Sequence, residues 1–268
     1  MSNVHGAFIW YELLTDDSDA ALAFYSAILG WQVVSSGQAD RDYRILSARD
    51  ADTGEQHDIG GCLQLTQAMR QGGARPLWLG YIAVDDVERS AARIVAAGGG
   101  IQMPATEIPE VGRIAMVTDP QGAPFYLMRG AVDRTSLAFA ADRPRPGHCA
   151  WNELTSPDPE AARRFYCGEF GWRKDGEMDL GPMGVYEFIR HNNVIGAIMT
   201  APQEMPMAMW QYYFRCADID RACQTIREHG GQLLHEPDEI PGGDFTVKGI
   251  DPQGAQFALV GRRTAGRD

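Results

Sequence analysis

The segments WYELLTDDSDAALAFYSAILGW (Trp10–Trp31) and WNELTSPDPEAARRFYCGEFGW (Trp151–Trp172) align without a gap and are identical at ten of twenty-two positions. Further on, WLGYIAVDDVERSAARIVAAGG (Trp78–Gly99) aligns with WQYYFRCADIDRACQTIREHGG (Trp210–Gly231) at an offset of 132 residues, and TDPQG (Thr118–Gly122) returns as IDPQG (Ile250–Gly254) at the same offset. Self-similarity of this length means that one plan is built twice. It predicts two domains, 4–130 and 146–263, joined by AADRPRPGH (Ala140–His148), whose prolines and charges suit an extended linker. The offset of the first segment is 141, so the first copy carries nine extra residues. Most fall in the polar stretch Ala48–Asp58, expected as a longer hairpin loop.

Each copy also divides in two. The first half of copy one reads as strand (AFIWYELL), helix (Asp19–Leu29), then strands near Gln32–Ser35, Tyr43–Ala48 and Ile59–Leu65. The second half repeats that order with LGYIAV, a helix over Val87–Ala97, and strands at Ile101–Met103, Arg113–Val117 and Pro124–Met128. Asp158-Pro159-Glu160 is a helix start, with a capping carboxylate, proline at the first helical position and an acid in the first turn. Asp17 stands in the equivalent place, and Gly30, Gly98, Gly171 and Gly230 follow the last apolar positions, where helices close. In DPQG, proline and glycine take the second and fourth positions of a type I turn between the last two strands.

Composition removes several function classes. A formal net charge of −12 opposes binding to phosphate backbones, so no nucleic-acid partner is expected. No apolar run approaches the roughly 20 residues of a bilayer span, so no membrane partner is expected either. The start, MSNVHGAFIWYELL, has neither the basic region nor the cleavage site of a secretory leader. Five cysteines in no CxxC spacing read as reduced thiols, several of them small core residues, in a cytoplasmic protein. Nothing in the chain sets its oligomeric state.

Four βαβββ units in one chain resemble the vicinal oxygen chelate superfamily of glyoxalases, bleomycin-resistance proteins and extradiol dioxygenases. The likeness is carried by A-x(2)-FY-x(4)-GW at Ala21–Trp31 and Ala162–Trp172, by VDDV at Val84–Val87, and by DPQG-x-x-F-x-L in both copies. WYEL and WNEL resemble more narrowly the tandem glyoxalase-like proteins. The resemblance implies an α+β fold of two tandem glyoxalase domains, each a pair of βαβββ modules forming a cup-shaped sheet with helices outside and a small-molecule ligand inside. Strand alternation then packs Phe125, Leu127, Phe257 and Leu259 under the helices and turns Tyr126, Met128, Ala258 and Val260 to the cup. The superfamily's metal ligands correspond here to Trp10, Leu79 and Tyr126 in copy one and to Trp151, Gln211 and Ala258 in copy two. A fourth position, within Ile59–Leu65 or Val194–Met199, has no His or Glu available. One amide cannot hold a divalent ion, so no metal and no other cofactor is expected.

The six histidines form no HxH or HxxxH pair. His57 and His191 are expected in polar hairpin loops, and all six as surface or capping residues. The chemistry then rests on Glu12 and Glu153, each two residues after its tryptophan and expected to point inward. A desolvated carboxylate has a raised pKa and serves as a general base or acid; alternatively Arg113 or Arg215 braces it in a buried pair. Trp10, Tyr81, Tyr126, Met128, Trp151, Gln211, Tyr213 and Arg215 are the expected ligand-binding residues, an aromatic wall for a flat or apolar metabolite. Trp31 and Trp172 are expected as fold anchors instead. Whether the chain is an enzyme stays open at this point. The candidates are glutamate-based proton transfer in metal-poor pockets, sequestration of a drug or metabolite, and a metal-dependent lyase or dioxygenase with atypical ligands.

Overall fold

The computed structural model describes residues 3–38, 41–202 and 207–264. Four aspartates start the four long helices, one in each module. Asp17 accepts from Ala20 N at α1 (Ser18–Leu29), and Asp86 from Arg89 N at the second long helix (Val87–Ala96). Asp158 accepts from Ala161 N at the third (Pro159–Phe170), and Asp218 from Arg221 N at the fourth (Ile219–Glu228). Each bond satisfies one of the amides that a helix start leaves without an intrahelical partner. Gly30 and Gly171 close their helices in the left-handed region at φ 70° and 68°.

Around these helices the first copy runs β1 (Phe8–Thr15), α1, β2 (Gln32–Ser35), β3 (Tyr43–Arg49) and β4 (Gln56–Gln64). It continues through a short α2 (Gln67–Gln71) that the sequence reading did not anticipate, then β5 (Leu77–Ala83), α3 (Val87–Ala96), β6 (Gly100–Ile108), β7 (Gly112–Thr118) and β8 (Pro124–Gly130). The second copy runs β9 (Cys149–Ser156), α4 (Pro159–Phe170), β10 (Arg173–Asp179), β11 (Val185–His191) and β12 (Asn193–Thr200). Its second half is β13 (Met209–Arg215), α5 (Ile219–Glu228), β14 (Gln232–Leu233), β15 (Asp238–Ile240), β16 (Asp244–Ile250) and β17 (Gln256–Arg262). Each copy supplies one sheet. The strand orders are β2-β3-β4-β1-β5-β8-β7-β6 and β10-β11-β12-β9-β13-β17-β16-β14, with β15 pairing to β16. The extra residues of copy one lie in the hairpin between β3 and β4, where copy two turns tightly at Asn192, with φ 61°.

Compact packing groups the chain differently from the sheets. One unit combines the residues up to Trp10 with Leu79–Ser136 and Trp151–Gln211; the other combines Tyr11–Trp78, Leu137–Ala150 and the residues from Tyr212 onward. Each unit therefore joins half of one copy to half of the other.

In the first unit Phe125 of β8 packs on Tyr166 and Phe170 of α4, at ring distances of 5.8 Å each. Tyr166 donates its hydroxyl to Asp119 Oδ2 (3.1 Å) and accepts from Trp210 Nε1 (3.0 Å). Trp172 stacks on Tyr166 and donates to Gly6 O. The Gln121 side chain accepts from Ser156 Oγ and Asp158 N and donates to Asp158 O, clamping the start of α4.

The second unit mirrors this arrangement. Phe257 of β17 packs on Phe24 and Tyr25 of α1. Tyr25 donates to Asp251 Oδ2 (3.0 Å) and accepts from Trp78 Nε1 (3.0 Å), while Trp31 donates to Gly147 O (2.7 Å). The aspartate of each DPQG turn thus accepts from the FY tyrosine of the opposite copy. Burial raises the pKa of Asp119, Asp251 and Tyr25. Truncating one such buried ring would cost about 3–5 kcal/mol. Trp31 and Trp172 are buried anchors, as expected. Phe125, Leu127, Phe257 and Leu259 are fully buried.

The segment between the copies is pinned rather than free. Asp50, buried in the β3–β4 hairpin, accepts from both Arg143 and Arg145. The histidine expectation is corrected beside it. His57 lies within β4, is buried, and has its Nδ1 3.1 Å from Nε2 of the fully buried His148. His148 Nδ1 meets Pro146 O (3.1 Å), which can only accept; that carbonyl assigns the Nδ1 proton and leaves Nε2 to accept from His57. Strand β4 begins earlier than its apolar run, which is why a polar histidine is carried inside.

Candidate functional site

Glu153 lies on β9 and is 4% exposed. Its register partner on β12 is Ala197, which pairs in turn with Phe188 of β11. Tyr186, two residues before Phe188, reaches diagonally across that row and donates its hydroxyl to Glu153 Oε2 (2.8 Å). The same hydroxyl accepts from Trp151 Nε1 (2.7 Å). Indole N–H, phenol and carboxylate thus form one chain, with Phe188 edge-on to both Trp151 and Tyr186. Burial, followed by the neighbouring Glu153 charge, raises the pKa of the Tyr186 phenol, which keeps it a donor. Trp151 and Glu153 come together as the sequence indicates, but through a tyrosine that sequence reasoning missed. The repeat held the signal, because Tyr43 and Tyr186 occupy the same place in their strands.

In copy one Glu12 is 3% exposed and pairs in register with Gly61. Tyr43 of β3 packs flat on that glycine. A β-carbon on Gly61 would overlap the Tyr43 hydroxyl and ring, so the absence of a side chain is what seats the tyrosine there. Copy two has Ala197 at this place. A carboxylate, its aromatic predecessor and a strand tyrosine therefore recur in both copies with different spacing from the sheet.

The remaining expected residues separate into groups. Tyr81 and Tyr126 are register partners on β5 and β8, and their rings stack at 4.3 Å and 17°. Both are buried, as is Gln211; Trp10 and Met128 are half-buried. Tyr213 is buried under the Lys248 ammonium, 5.8 Å from its ring centroid. The bracing arginines are a correction. Arg215 Nη2 pairs with Asp244 Oδ2 (2.7 Å), and the half-buried Arg113 pairs with Glu88 and Glu107, so each guanidinium is drawn to acids other than Glu12 and Glu153. Burial pushes the thiols of Cys62 and Cys216 up to about 12 and that of Cys223 to about 11, so these are core residues, not nucleophiles. A gap lined by Phe8, Asn152, Trp172, Ile195 and Trp210 has no room for one water and is packing, not a ligand cavity.

A divalent ion does not fit the donors present. The positions that carry ligands in the superfamily hold Trp10, Leu79, Tyr126, Trp151, Gln211 and Ala258. The Trp151 N–H can only donate, and its proton is already given to Tyr186. Among the described residues no three of His, Cys, Asp and Glu gather as a set of ligands.

The fold and these strands place the chain among known proteins. The model of the Glyoxalase/Bleomycin resistance protein/Dioxygenase superfamily matches residues 7–127 and 145–259, and the chain belongs to that superfamily. A Mycobacterium tuberculosis protein named "Putative glyoxylase CFP32" is 30% identical over 260 residues, covering 94% of this chain and 93% of its own length. The "Anthracycline biosynthesis protein DnrV" of Streptomyces peucetius is 30% identical over 272 residues, covering 95% and 93%. Among solved structures, the Mn(II)-bound glyoxalase of Novosphingobium aromaticivorans superposes with a TM-score of 0.64 at 18% identity, covering 98% of this chain and 84% of that one. The 2,3-dioxygenase LapB of Pseudomonas sp. KL28 does so at 0.62 and 14%, covering 98% and 94%. At these identities the two structures share the fold alone. No helix among the described residues is long and apolar enough to cross a membrane.

Proposed function

We propose that this chain binds a flat, aromatic or apolar metabolite and moves a proton on it with Glu153. The observation that carries this reading is the chain from Trp151 Nε1 through Tyr186 to Glu153 Oε2, formed where the superfamily would hold a metal. The Glu153 carboxylate, oriented at Oε2 by the Tyr186 phenol, is the base in this reading. Carbon acids beside a carbonyl are the fitting substrates, since a positioned carboxylate gains typically 10²–10⁴-fold on their proton transfer. Stacked Tyr81 and Tyr126 support a flat ligand, and so do relatives named for anthracycline biosynthesis.

The test uses 2-tetralone, a fused-ring ketone, with proton NMR following exchange at its activated carbon in D2O. The full chain is expected to accelerate exchange by about 10²-fold or more over buffer. Glu153→Gln should return the rate to background while 2-tetralone still binds within a few-fold. Equal rates for the two proteins would remove Glu153 from the chemistry. Binding with no acceleration by either would leave a sequestering protein, the second reading, which the stacked tyrosines support equally.

A further inference from the structure

Three times among the described residues an indole N–H, a phenol and a carboxylate stand in line. Trp78 Nε1 donates to the Tyr25 hydroxyl (3.0 Å), which donates to Asp251 Oδ2 (3.0 Å). Trp210, Tyr166 and Asp119 repeat the chain at 3.0 Å and 3.1 Å. In both, all three residues are buried, and the other carboxylate oxygen accepts two amides of its own DPQG turn: Gln121 and Ala123 for Asp119, Gln253 and Ala255 for Asp251. Those two chains brace turns. The third runs from Trp151 through Tyr186 to Glu153 at 2.7 Å and 2.8 Å, and ends on a residue of β9 instead of a turn. Its indole and phenol are only half-buried, so it stands at a partly open sheet face.

The direction of this third chain is fixed by its first member. An indole nitrogen is a donor only, so the Tyr186 oxygen must accept from Trp151. The phenol has one proton of its own, and that proton is aimed at Glu153 Oε2. Phe188 lies edge-on to Trp151 at 6.1 Å and to Tyr186 at 5.6 Å and holds the two rings in this relation. Met178 and Met199, the register partners of Tyr186 on its two neighbouring strands, bound the phenol along its row. Oε2 is thereby presented as a proton acceptor. A tyrosine alone would leave the direction open, because a hydroxyl turns about its C–O bond and could equally accept a proton held by the glutamate.

We propose that Trp151 is a positioning residue, which acts through Tyr186 to present Glu153 as the base, and not a panel of the ligand's wall. This rests on the reading of Glu153 as the proton-transfer group and adds a direction to it: the step begins with abstraction. The C–H bond beside the ligand's carbonyl breaks, its proton passes to Glu153, and the electron pair it leaves moves to the carbonyl oxygen as an enolate. Return of a solvent-exchanged proton to the same carbon restores both partners.

The experiment is a double-mutant cycle on the full chain. Exchange of 2-tetralone in D2O is measured over a range of ketone concentrations for wild type, Trp151→Phe, Tyr186→Phe and the double variant. Trp151→Phe is expected to lower the saturated rate about three- to tenfold, the worth of one hydrogen bond, with KM unchanged. The double variant should be no slower than Tyr186→Phe, because a residue that acts only through the phenol then has nothing to act on. A wall residue would give the opposite split, a raised KM at an unchanged saturated rate. Near-ultraviolet circular dichroism and the melting temperature establish that each variant is folded. Should Trp151→Phe fail to fold, Trp151→His takes its place, assayed with a chelator at about pH 8, where imidazole is neutral. Its Nε2 superposes on the indole Nε1 and keeps the donor, so its saturated rate should stay within about threefold of wild type. If wild type accelerates exchange but Trp151→Phe changes only KM or nothing, if the two losses multiply, or if Trp151→His falls to the Glu153→Gln rate, the positioning role is wrong while Glu153 remains the base. If wild type accelerates nothing, proton transfer and positioning fall together.

Discussion

The Tyr186 hydroxyl does two jobs that one substitution can separate from the carboxylate. It donates to Glu153 Oε2 and accepts from Trp151 Nε1, so Tyr186→Phe leaves a buried acceptor and a half-buried indole donor without these bonds. Stability should fall by about 1–3 kcal/mol, the usual penalty for such groups. Because Glu153 Oε2 then loses the bond that orients it, 2-tetralone exchange should drop roughly tenfold with binding unchanged, as expected when orientation rather than affinity is lost. Thermal melts and the NMR assay read the two effects. An unchanged exchange rate would make Tyr186 a packing residue only. Glu12, Glu153 and the aromatic positions were legible in the sequence because strand alternation assigns a face to every second residue. Tyr186 was not legible, because its bond to Glu153 depends on which strands lie side by side. A register such as Phe188–Ala197–Glu153 is a property of pairing and is absent from any one strand's pattern.

The segment joining the copies behaves as an element in its own right, and its titration has a definite sign. Burial lowers the pKa of His148, and likewise of His191, below the ordinary histidine value. Below about pH 6.5 the unfolded chain therefore binds protons that the folded chain refuses, and stability falls as pH falls. Asp50 acts in a lower window. The bond from Arg143 holds its carboxyl well below the usual range, so its contribution is intact above about pH 3.9 and lost on further acidification. The melting temperature should drop between about pH 7.5 and pH 5.5, and His148→Asn should flatten that drop. Asparagine keeps a donor for Pro146 O but removes the ring nitrogen facing His57. An identical pH slope in the variant would assign the titration elsewhere. The sequence shows the linker by its prolines and charges. What it conceals is that Asp50, nearly a hundred residues earlier, is the partner of Arg143 and Arg145.

At the scale of the whole molecule, the repeat legible in the sequence and the packing it produces are different divisions of the chain. Periodicity says that Phe125 and Phe257 are buried, but not what buries them. The answer is the helix of the opposite copy, α4 for Phe125 and α1 for Phe257. The tyrosine–aspartate bonds follow the same rule, Tyr25 to Asp251 and Tyr166 to Asp119. Two copies expressed as separate chains, residues 1–139 and 140–268, should therefore copurify in equal amounts when coexpressed, since each compact unit needs a half from each. Either copy alone exposes large aromatic faces and should self-associate, because its own DPQG aspartate is the equivalent of the missing one: in a pair of first copies, Tyr25 of one chain can donate to Asp119 of the other. Light scattering on the lone first copy should give twice the fragment mass, and Tyr25→Phe should weaken the pair by about 1 kcal/mol, the net worth of one hydrogen bond. A lone copy that stays monomeric with native near-ultraviolet circular dichroism would mean that each copy closes its own core, contrary to the reciprocal bonding of the two DPQG turns.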